Sequence, residues 1–210
     1  MARPQMTAKR HRAEHYFTAH PKSKLRFGVL QASFHGRQFK FITASGVFSK
    51  ERVDAGTRLL VESMVLPAKG KVLDIGCGYG AVGIAAAVFN PDLDVVMVDL
   101  NDRAVRLARR NVELNRVWNA EVRRGYLYEP VVDMMFDCVL SNPPVSAGMA
   151  IVERLIVDAP RHMASQATFQ MVVRSKIGGK RLLSIFEKAF GNVEVLARGS
   201  GYRVLISRKQ

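Results

Sequence analysis

The sequence predicts an α/β protein with a doubly wound, mostly parallel sheet, and three observations predict it. An apolar strand at 72–75 runs directly into a glycine-rich turn and then into a helix at 81–89. Beyond that helix, short apolar runs alternate with stretches of helical spacing, which is typical of βαβ units. The last two strands, at 193–197 and 202–207, are joined by a turn too short for a parallel crossover, so one antiparallel strand is expected.

The other elements can be taken in chain order. Two runs separated by His35-Gly36-Arg37 predict a β-hairpin ahead of the main sheet. The apolar spacing that follows predicts a helix at 50–64 with Ser49 as its N-cap. Pro160 should end or kink the helix that contains it. Further strands are expected at 95–98, 121–123, 136–140 and 168–173, and further helices at 102–115, about 150–163, and 179–190. Together these elements make a Rossmann-like sheet of seven strands with an N-terminal β-hairpin extension.

The charge balance favours a polyanionic partner. The 210 residues include 32 Lys and Arg against 18 Asp and Glu, a formal net charge of +14. Residues 1–26 are especially basic and carry the aromatic pair Tyr16-Phe17. This arm is either a solvated tail or a segment that contacts RNA, and the sequence leaves both readings open.

Cysteine usage and hydropathy indicate the compartment. Cys77 and Cys138 are the only cysteines and lie in apolar contexts, which fits a reducing environment better than a disulfide framework. No apolar run is long enough to span a membrane, and residues 1–26 lack the apolar centre of a secretion signal. We therefore expect a cytoplasmic protein with no membrane partner.

The stretch KVLDIGCGYGAVG at 71–83 predicts a ligand site at the carboxyl end of its strand. Gly76, Gly78 and Gly80 permit positive φ and let a ligand lie against bare backbone. The helix that follows directs N–H groups and the positive end of its dipole toward that ligand. This arrangement is typical of a nucleotide-type site.

Two ligand classes fit these glycines. From Gly78 they spell G-x-G-x-x-G, a dinucleotide fingerprint, with Asp99 at the expected distance. The strand ends just before Gly76, however, and Asp74 lies immediately ahead of the turn. A carboxylate there meets a phosphate badly but suits an ammonium group, such as the methionine end of S-adenosylmethionine (SAM). Cys77 is interpreted as a small turn residue and not as a nucleophile.

Asp99 ends the next strand, beside the glycine turn. A carboxylate in that position can accept hydrogen bonds from both ribose hydroxyls of a nucleoside. The alternative role, a cap for the following helix, fits Asn101 or Asp102 better. We interpret Asp99 as a ribose contact.

Asn142-Pro143-Pro144 follows an apolar strand at the same edge of the sheet. Alone, these residues could be a simple strand-ending turn. Proline holds its own backbone and that of the preceding residue extended, so Asn142 Oδ1 and the Pro143 carbonyl become two rigid acceptors. Such a pair matches the two N–H donors of an exocyclic amine on a nucleobase. Holding both hydrogens positions the nitrogen for in-line attack, and no ionised base need act before methyl transfer.

These motifs resemble those of class I SAM-dependent methyltransferases that modify an exocyclic amine. The broad resemblance is carried by DIGCGYG at 74–80, VD at 98–99 and SNPP at 141–144. A narrower one is to the small methyltransferase domain family related to ribosomal RNA small-subunit guanine-N2 methyltransferase C. It is carried by HYF at 15–17 with PKS at 21–23, SGVFSKERVDAGTRLL at 45–60, NPPVSAG at 142–148, KIGG at 176–179 and SGYRVL at 200–205.

The resemblance runs from about residue 14 to the end and implies a function. The methyl donor would be SAM, and the acceptor N2 of a guanine in 16S-type rRNA. The implied catalytic residues are Asn142, Pro143 and Pro144. The implied cofactor contacts are Asp74, Gly76, Cys77, Gly78, Gly80, Asp99, Leu100, Tyr126 and Asn142. The chain then divides into an N-terminal arm at 1–26 and a methyltransferase domain at 27–210, with a hairpin extension at 27–45 and a catalytic core at 46–210.

Two positions depart from the family pattern. Tyr126 stands where such enzymes often place an acidic residue against the adenine amine, so stacking or a backbone contact must substitute. Val145 stands where many amine-directed relatives place an aromatic that stacks on the target base. Phe48 is the candidate for that stacking role, although a lone phenylalanine is more often part of the core. The longer guanine-N2 enzymes also carry an extra N-terminal domain, which is not expected here, so substrate recognition is expected to differ.

Three basic residues around a predicted helix start are candidates for RNA phosphate contacts: Lys176, Lys180 and Arg181. Ribosomal RNA or the small ribosomal subunit is the expected partner, a monomer is favoured, and no metal site is expected. Adenine-N6 methylation of nucleic acid and glutamine-N5 methylation of protein are the alternative activities, since both also use Asn-Pro-Pro. An RNA-binding or ribosome-assembly protein on a vestigial SAM fold is the alternative from another class.

Overall fold

The computed structural model describes residues 26–47, 52–143, 148–176 and 179–210. Its strands are β1 (Phe27–Phe34), β2 (Arg37–Ala44), β3 (Gly70–Ile75), β4 (Leu93–Asp99), β5 (Ala120–Arg124), β6 (Phe136–Ser141), β7 (Met163–Arg174), β8 (Glu194–Gly199) and β9 (Tyr202–Arg208). Its helices are α1 (Ala55–Ser63), α2 (Ala81–Phe89), α3 (Asp102–Leu114), α4 (Met149–Asp158) and α5 (Gly179–Phe190). Pro160 ends α4 as expected, and a short 3-10 segment, Ala159–His162, follows it. Among the helices in these ranges, none has both the length and the apolar character that a membrane crossing requires.

Seven strands form one sheet in the order β5-β4-β3-β6-β7-β9-β8. Neighbouring strands are parallel except for β9, which runs against both β7 and β8. This arrangement confirms the predicted sheet with its one antiparallel strand. After β5 the chain returns to the other side of β3, so the strand order reverses between β3 and β6. A crevice opens at the carboxyl ends of the strands at such a reversal.

The helices cover the sheet on two faces because its central strands are apolar on both sides. Val72 of β3 packs with α1, α2 and α3 on one face, and the next residue, Leu73, packs with α4 and α5 on the other. Cys138 and Val139 of β6 alternate in the same way. Strands buried on both faces are expected where helices cover a parallel sheet on each side.

The predicted N-terminal hairpin is present as a separate two-stranded sheet, β1 with β2. Its inner face carries three fully buried phenylalanines, Phe34, Phe39 and Phe41, which belong to the same core as α2 and α3. Asn111 of α3 and Asn115, the C-cap of α3, bind the edge of β2 from the side: Asn111 Oδ1 accepts from the Ile42 amide at 2.7 Å, and Asn115 Oδ1 accepts from the Lys40 amide at 3.1 Å. The hairpin is therefore fastened to the main domain by both apolar packing and hydrogen bonds.

Helix α1 differs from its prediction at its start. The expected helix at 50–64 was to be capped by Ser49, which lies outside the described residues. The helix begins at Ala55 instead, because Asp54 is its N-cap and Asp54 Oδ1 accepts from the Gly56 amide at 2.9 Å. The later start places the Asp54 carboxylate at the carboxyl edge of the sheet.

Candidate active site

A cleft of about 700 Å³, including space open to solvent, lies over the carboxyl ends of β3, β4 and β6. Seven of the residues proposed from sequence line it: Asp74, Gly76, Cys77, Gly78, Asp99, Asn142 and Pro143. The fold brings these residues together because β6 pairs with β3 so that Ser141 lies opposite Ile75. The Ser141 hydroxyl donates to the Ile75 carbonyl at 2.8 Å, which ties the two strand ends together.

The glycine turn wraps around the end of β4. The amides of Gly76 and Cys77 both donate to the Val98 carbonyl, at 2.9 and 3.1 Å. Gly76, Gly78 and Gly80 all have positive φ, as predicted. A Cβ at Gly78 would meet no atom within 4 Å, so this part of the turn faces open space with its backbone exposed. Gly80 is the left-handed N-cap of α2 and shapes the turn.

Cys77 lines the cleft as a small buried residue. Burial raises the pKa of its thiol well above the ordinary value, and the negative charges of Asp99 and Asp74 act in the same direction. A thiol with a raised pKa is a poor nucleophile. The geometry is therefore consistent with the interpretation of Cys77 as a turn residue.

Asp74 is almost completely buried beneath the cleft, with 1% of its surface exposed. One of its oxygens, Oδ2, accepts from the Gly83 amide in the first turn of α2 at 2.9 Å. Burial raises the pKa of this carboxyl to about 7; the Gly83 hydrogen bond opposes that rise, and the charge of Asp99 adds to it. Among the described residues, no cationic side chain pairs with Asp74. A cationic group of a ligand would therefore stabilise its ionised form.

Asp99 is held in a fixed orientation by backbone donors. Its Oδ2 accepts from the Gly78 amide and its Oδ1 from the Asn101 amide, each at 2.8 Å. The predicted cap of α3 is present, since Asn101 accepts from the Arg103 and Ala104 amides. Each carboxylate oxygen has a second lone pair, so Asp99 can still accept hydrogen bonds from ligand hydroxyls.

A second, smaller crevice of about 390 Å³, again including open space, adjoins the first. Gly76, Asp99 and Pro143 line both, so they form the boundary between the two. The second crevice contains the predicted contacts Leu100 and Tyr126, and its other walls are mostly apolar. The Arg154 guanidinium lies 5.6 Å from the centre of the Tyr126 ring. A flat aromatic ring system between apolar walls is the kind of group this crevice can take.

Asn142 makes contacts that the sequence interpretation did not include. Its Nδ2 donates to Thr57 Oγ1 at 2.8 Å and to Asp54 Oδ2 at 3.2 Å. Both partners belong to the N-terminus of α1, and Thr57 also lines the cleft. The signal for these residues was available in DAGT at 54–57, a good N-cap sequence, but the assignment of a helix start at residue 50 concealed it.

The remaining predicted residues lie elsewhere. Lys176, Lys180 and Arg181 are exposed and follow the carboxyl end of β7, the neighbour of β6. Arg181 is paired with Glu153 of α4 at 3.3 Å. Phe48, Pro144 and Val145 lie outside the described residues, as does the arm at 1–25. Within the described parts of the chain, no group of three or more His, Cys, Asp or Glu side chains is arranged to hold a metal ion.

The sequence matches a known protein family and several known proteins. The family model of the methyltransferase small domain matches residues 38–206. The uncharacterized protein YbxB of Bacillus subtilis is 32% identical over 199 residues, which cover 94% of this chain and 99% of that one. Ribosomal RNA small subunit methyltransferase C of Aeromonas hydrophila is 33% identical over 187 residues, 87% of this chain and 53% of the relative. This chain therefore spans nearly all of YbxB but about half of the methyltransferase C relative.

Among solved structures, the fold is similar to that of the Thermus thermophilus 16S rRNA N2 G1207 methyltransferase in complex with AdoMet and guanosine. The TM-score is 0.77 and the identity 24%, over 90% of this chain and 52% of that one. A precorrin-6y C5,15-methyltransferase from Geobacter metallireducens has the same fold, with a TM-score of 0.63 and 20% identity. The predicted family and fold, those of a SAM-dependent methyltransferase, are thus confirmed, and the chain belongs to the methyltransferase small domain family.

Proposed function

We propose that this protein transfers a methyl group from SAM to N2 of a guanine in small-subunit ribosomal RNA. The observation that carries the proposal is the position of Asn142 and Pro143 on the wall of the cleft formed by Asp74, the glycine turn and Asp99. One cleft thus combines two hydrogen-bond acceptors suited to an amine with a nucleotide-type site. The names of the methyltransferase C relatives and of the solved neighbour support rRNA and guanine N2 as the target.

The cleft has the groups that SAM requires. Asp74 would hold the ammonium group, Gly76 to Gly80 would offer backbone to the methionine part, and Asp99 would accept from the ribose hydroxyls. Leu100 and Tyr126 would enclose the adenine in the adjoining crevice, so stacking takes the place of an acidic partner. When bound, SAM supplies an electrophilic methyl group on a positively charged sulfur.

Asn142 and Pro143 would act on the acceptor. A base amine is a poor nucleophile because its lone pair is delocalised into the ring. If Asn142 Oδ1 and the Pro143 carbonyl each accept one N–H of that amine, the nitrogen becomes pyramidal and its lone pair is directed at the methyl group. The same two oxygens would stabilise the positive charge that the nitrogen acquires as the N–C bond forms and the bond from the methyl group to the SAM sulfur breaks, which leaves neutral S-adenosylhomocysteine. The extra proton is lost to water after the transfer.

The contacts to RNA are proposed from sequence and charge. Lys176 and Lys180 are exposed at the edge of the sheet that bears Asn142 and can bind backbone phosphates. Arg181 is the weaker candidate of the three, because Glu153 already pairs with it. Phe48 as the stacking partner, Val145 beside the base, and the basic arm as an RNA contact remain predictions.

The decisive experiment is nucleoside mass spectrometry of rRNA from cells with and without the gene, followed by transfer assays on small subunits and on free 16S rRNA. We expect N2-methylguanosine to be lost with the gene and restored by the wild-type protein. N6-methyladenosine, or methylated glutamine in a ribosomal protein, would assign one of the alternative activities instead. Failure to bind SAM in calorimetry would identify a vestigial fold.

The variant that tests the proposed amine contact is Asn142→Ala. It removes one amine acceptor and none of the groups proposed to hold the methionine part or the ribose, so turnover should fall by about 100-fold or more. The dissociation constant for SAM should stay within about threefold of wild type, a free-energy difference of at most about 0.7 kcal/mol. Near-normal turnover of Asn142→Ala on the true substrate would show that the proposed amine contact is wrong.

A further inference from the structure

The N-terminus of α1 is connected to the end of β6 by a hydrogen-bonded group of three side chains, Asp54, Thr57 and Asn142. Thr57 Oγ1 donates to Asp54 Oδ2, and Asn142 Nδ2 donates to both Thr57 Oγ1, at 2.8 Å, and Asp54 Oδ2, at 3.2 Å. Thr57 is buried, with 7% of its surface exposed. Two of its members, Thr57 and Asn142, line the cleft.

These contacts determine which way the Asn142 amide faces. The Asp54 carboxylate can only accept hydrogen bonds. Thr57 has a single hydroxyl proton, and because that proton is given to Asp54, the Thr57 oxygen can only accept from Asn142. Both neighbours therefore require the NH2 end of the amide. The reversed amide would place its oxygen against two other oxygens with no proton between them.

Asn142 Oδ1 must therefore face away from α1. Within the described residues, Oδ1 accepts no hydrogen bond from the protein, while both Nδ2 protons have acceptors. Oδ1 is thus available to a ligand donor in the cleft. A hydrogen bond from the amide NH2 to a carboxylate also increases the electron density on the amide oxygen, which makes Oδ1 a stronger acceptor.

Helix capping alone does not account for this group. An N-cap aspartate needs one oxygen for the amides of the first turn, and Asp54 Oδ1 serves the Gly56 amide at 2.9 Å. The second oxygen, Oδ2, is only 3.4 Å from the Thr57 amide and accepts in addition from the Thr57 hydroxyl and from Asn142 Nδ2, although Asn142 is 85 residues from Thr57 in the sequence. The contact also brings the negative charge of Asp54 next to the amide that is to face a developing cation.

We propose that Asp54 and Thr57 are positioning residues, which hold Asn142 with its Oδ1 toward the methyl acceptor and increase the negative charge on that oxygen. They act through Asn142 and do not touch the acceptor. The identity of the acceptor rests on the proposed function, whereas the orientation of the amide does not.

The first test compares single-turnover methyl transfer by Thr57→Val and Thr57→Ser at saturating SAM. Valine keeps the shape of threonine but removes the hydroxyl, so the rate constant should fall by about 10- to 100-fold, while the SAM dissociation constant and Tm stay close to wild type. Serine retains the hydroxyl and should restore the rate to within a few-fold of wild type. Asp54→Ser keeps an N-cap but removes the charge, and should lower the rate by a similar factor.

Ser63→Ala is the matched control, because it removes a hydroxyl at the other end of the same helix, where Ser63 Oγ donates to the Leu59 carbonyl. Its transfer rate should be unchanged. If Thr57→Val reacts as fast as wild type, or if Ser63→Ala is slowed equally, the proposed positioning role is wrong.

The second test is independent of activity and measures the Asn142 side-chain amide by NMR of protein labelled with 15N-asparagine. Its signals are assigned by their loss in Asn142→Ala. The two protons should exchange with water much more slowly than those of free asparagine, and Thr57→Val should accelerate that exchange. Exchange as fast as in free asparagine would overturn the proposal. If instead the amide is protected but the wild type methylates no RNA, the proposed function fails and the orientation of Asn142 stands.

Discussion

At the residue scale, the buried carboxyl of Asp74 should make SAM binding sensitive to pH, if Asp74 holds the ammonium group as proposed. Burial raises its pKa to about 7, so near neutral pH a substantial fraction of the unliganded protein carries a protonated, uncharged Asp74. A ligand ammonium group favours the ionised form. With the proposed contact, binding should therefore release a proton from Asp74 wherever the pH is below about 7.

We predict that SAM affinity rises as the pH rises through about 7, by up to tenfold per pH unit on the acid side. Above about pH 8 the amino group of the ligand loses its own proton, so affinity should fall again. Calorimetry in two buffers of different ionisation enthalpy measures both the affinity and the proton released. Asp74→Asn should bind more weakly and show no acid-side rise. An acid-side profile that is flat for the wild type would mean that Asp74 does not face the ammonium group.

At the element scale, the sequence predicted helices well where their ends carry a strong signal. α2 begins after a left-handed glycine and α5 occupies the predicted range, 179–190. The predicted start of α1 was wrong, because the polar sequence at 49–51 resembles a helix start and competes with the true N-cap, Asp54. Local propensity could not decide between them, since the contacts of Asp54 to Asn142 depend on the tertiary fold.

The docking of the hairpin was a second feature beyond the reach of local sequence rules. Asn111 and Asn115 are one helical turn apart on α3, so their amides meet alternate residues of the β2 edge. Asn111 Nδ2 also donates to the Ile42 and Tyr79 carbonyls, at 3.0 and 2.8 Å. Tyr79 is part of the glycine turn. The buried Asn111 amide therefore joins the hairpin, α3 and the cleft over β3, β4 and β6.

We predict that Asn111→Ala lowers the free energy of unfolding by about 3 kcal/mol, because it leaves buried backbone groups of β2 and the glycine turn without partners. Urea unfolding provides the measurement. Asn115→Ala is the control: this amide also binds the edge of β2, through the amide and carbonyl of Lys40, but is more exposed and should cost about 1 kcal/mol. A loss for Asn111→Ala no larger than that for Asn115→Ala would contradict the role assigned to the buried amide.

At the scale of the whole molecule, the composition of the candidate site was predictable where topology determines it. Asp74, Asp99 and Asn142 lie within two residues of the end of a parallel strand. Parallel strands bring their carboxyl ends to one edge, so the meeting of these residues in one cleft follows from the strand order. Asp54 and Thr57 come from a helix that precedes the sheet. The position of Asp54 and Thr57 beside the cleft depends on how α1 packs across β7, β8 and β9, which the strand patterns in the sequence do not predict.

The distribution of charge belongs to the same scale. A formal net charge of +14 attracts any polyanion, so the total charge alone does not define an RNA-binding face. Lys176 lies between β7 and α5, at the edge of the sheet that carries the cleft, and Lys180 lies in the first turn of α5. Lys69 is also exposed but precedes β3, at the opposite edge. Lysine-to-glutamate variants at the two edges therefore change the total charge equally, so their effects on RNA binding can be compared.

We predict that Lys176→Glu and Lys180→Glu each weaken RNA binding and reduce the slope of log K against log salt by roughly one, because each removes a phosphate contact and the counterion release that accompanies it. Lys69→Glu changes the net charge by the same amount and should leave that slope unchanged. Fluorescence anisotropy with a labelled 16S rRNA fragment over a range of salt concentrations measures the slope. Equal slopes for all three variants would mean that the protein attracts RNA by its overall charge and that the edge bearing Asn142 has no phosphate contacts of its own.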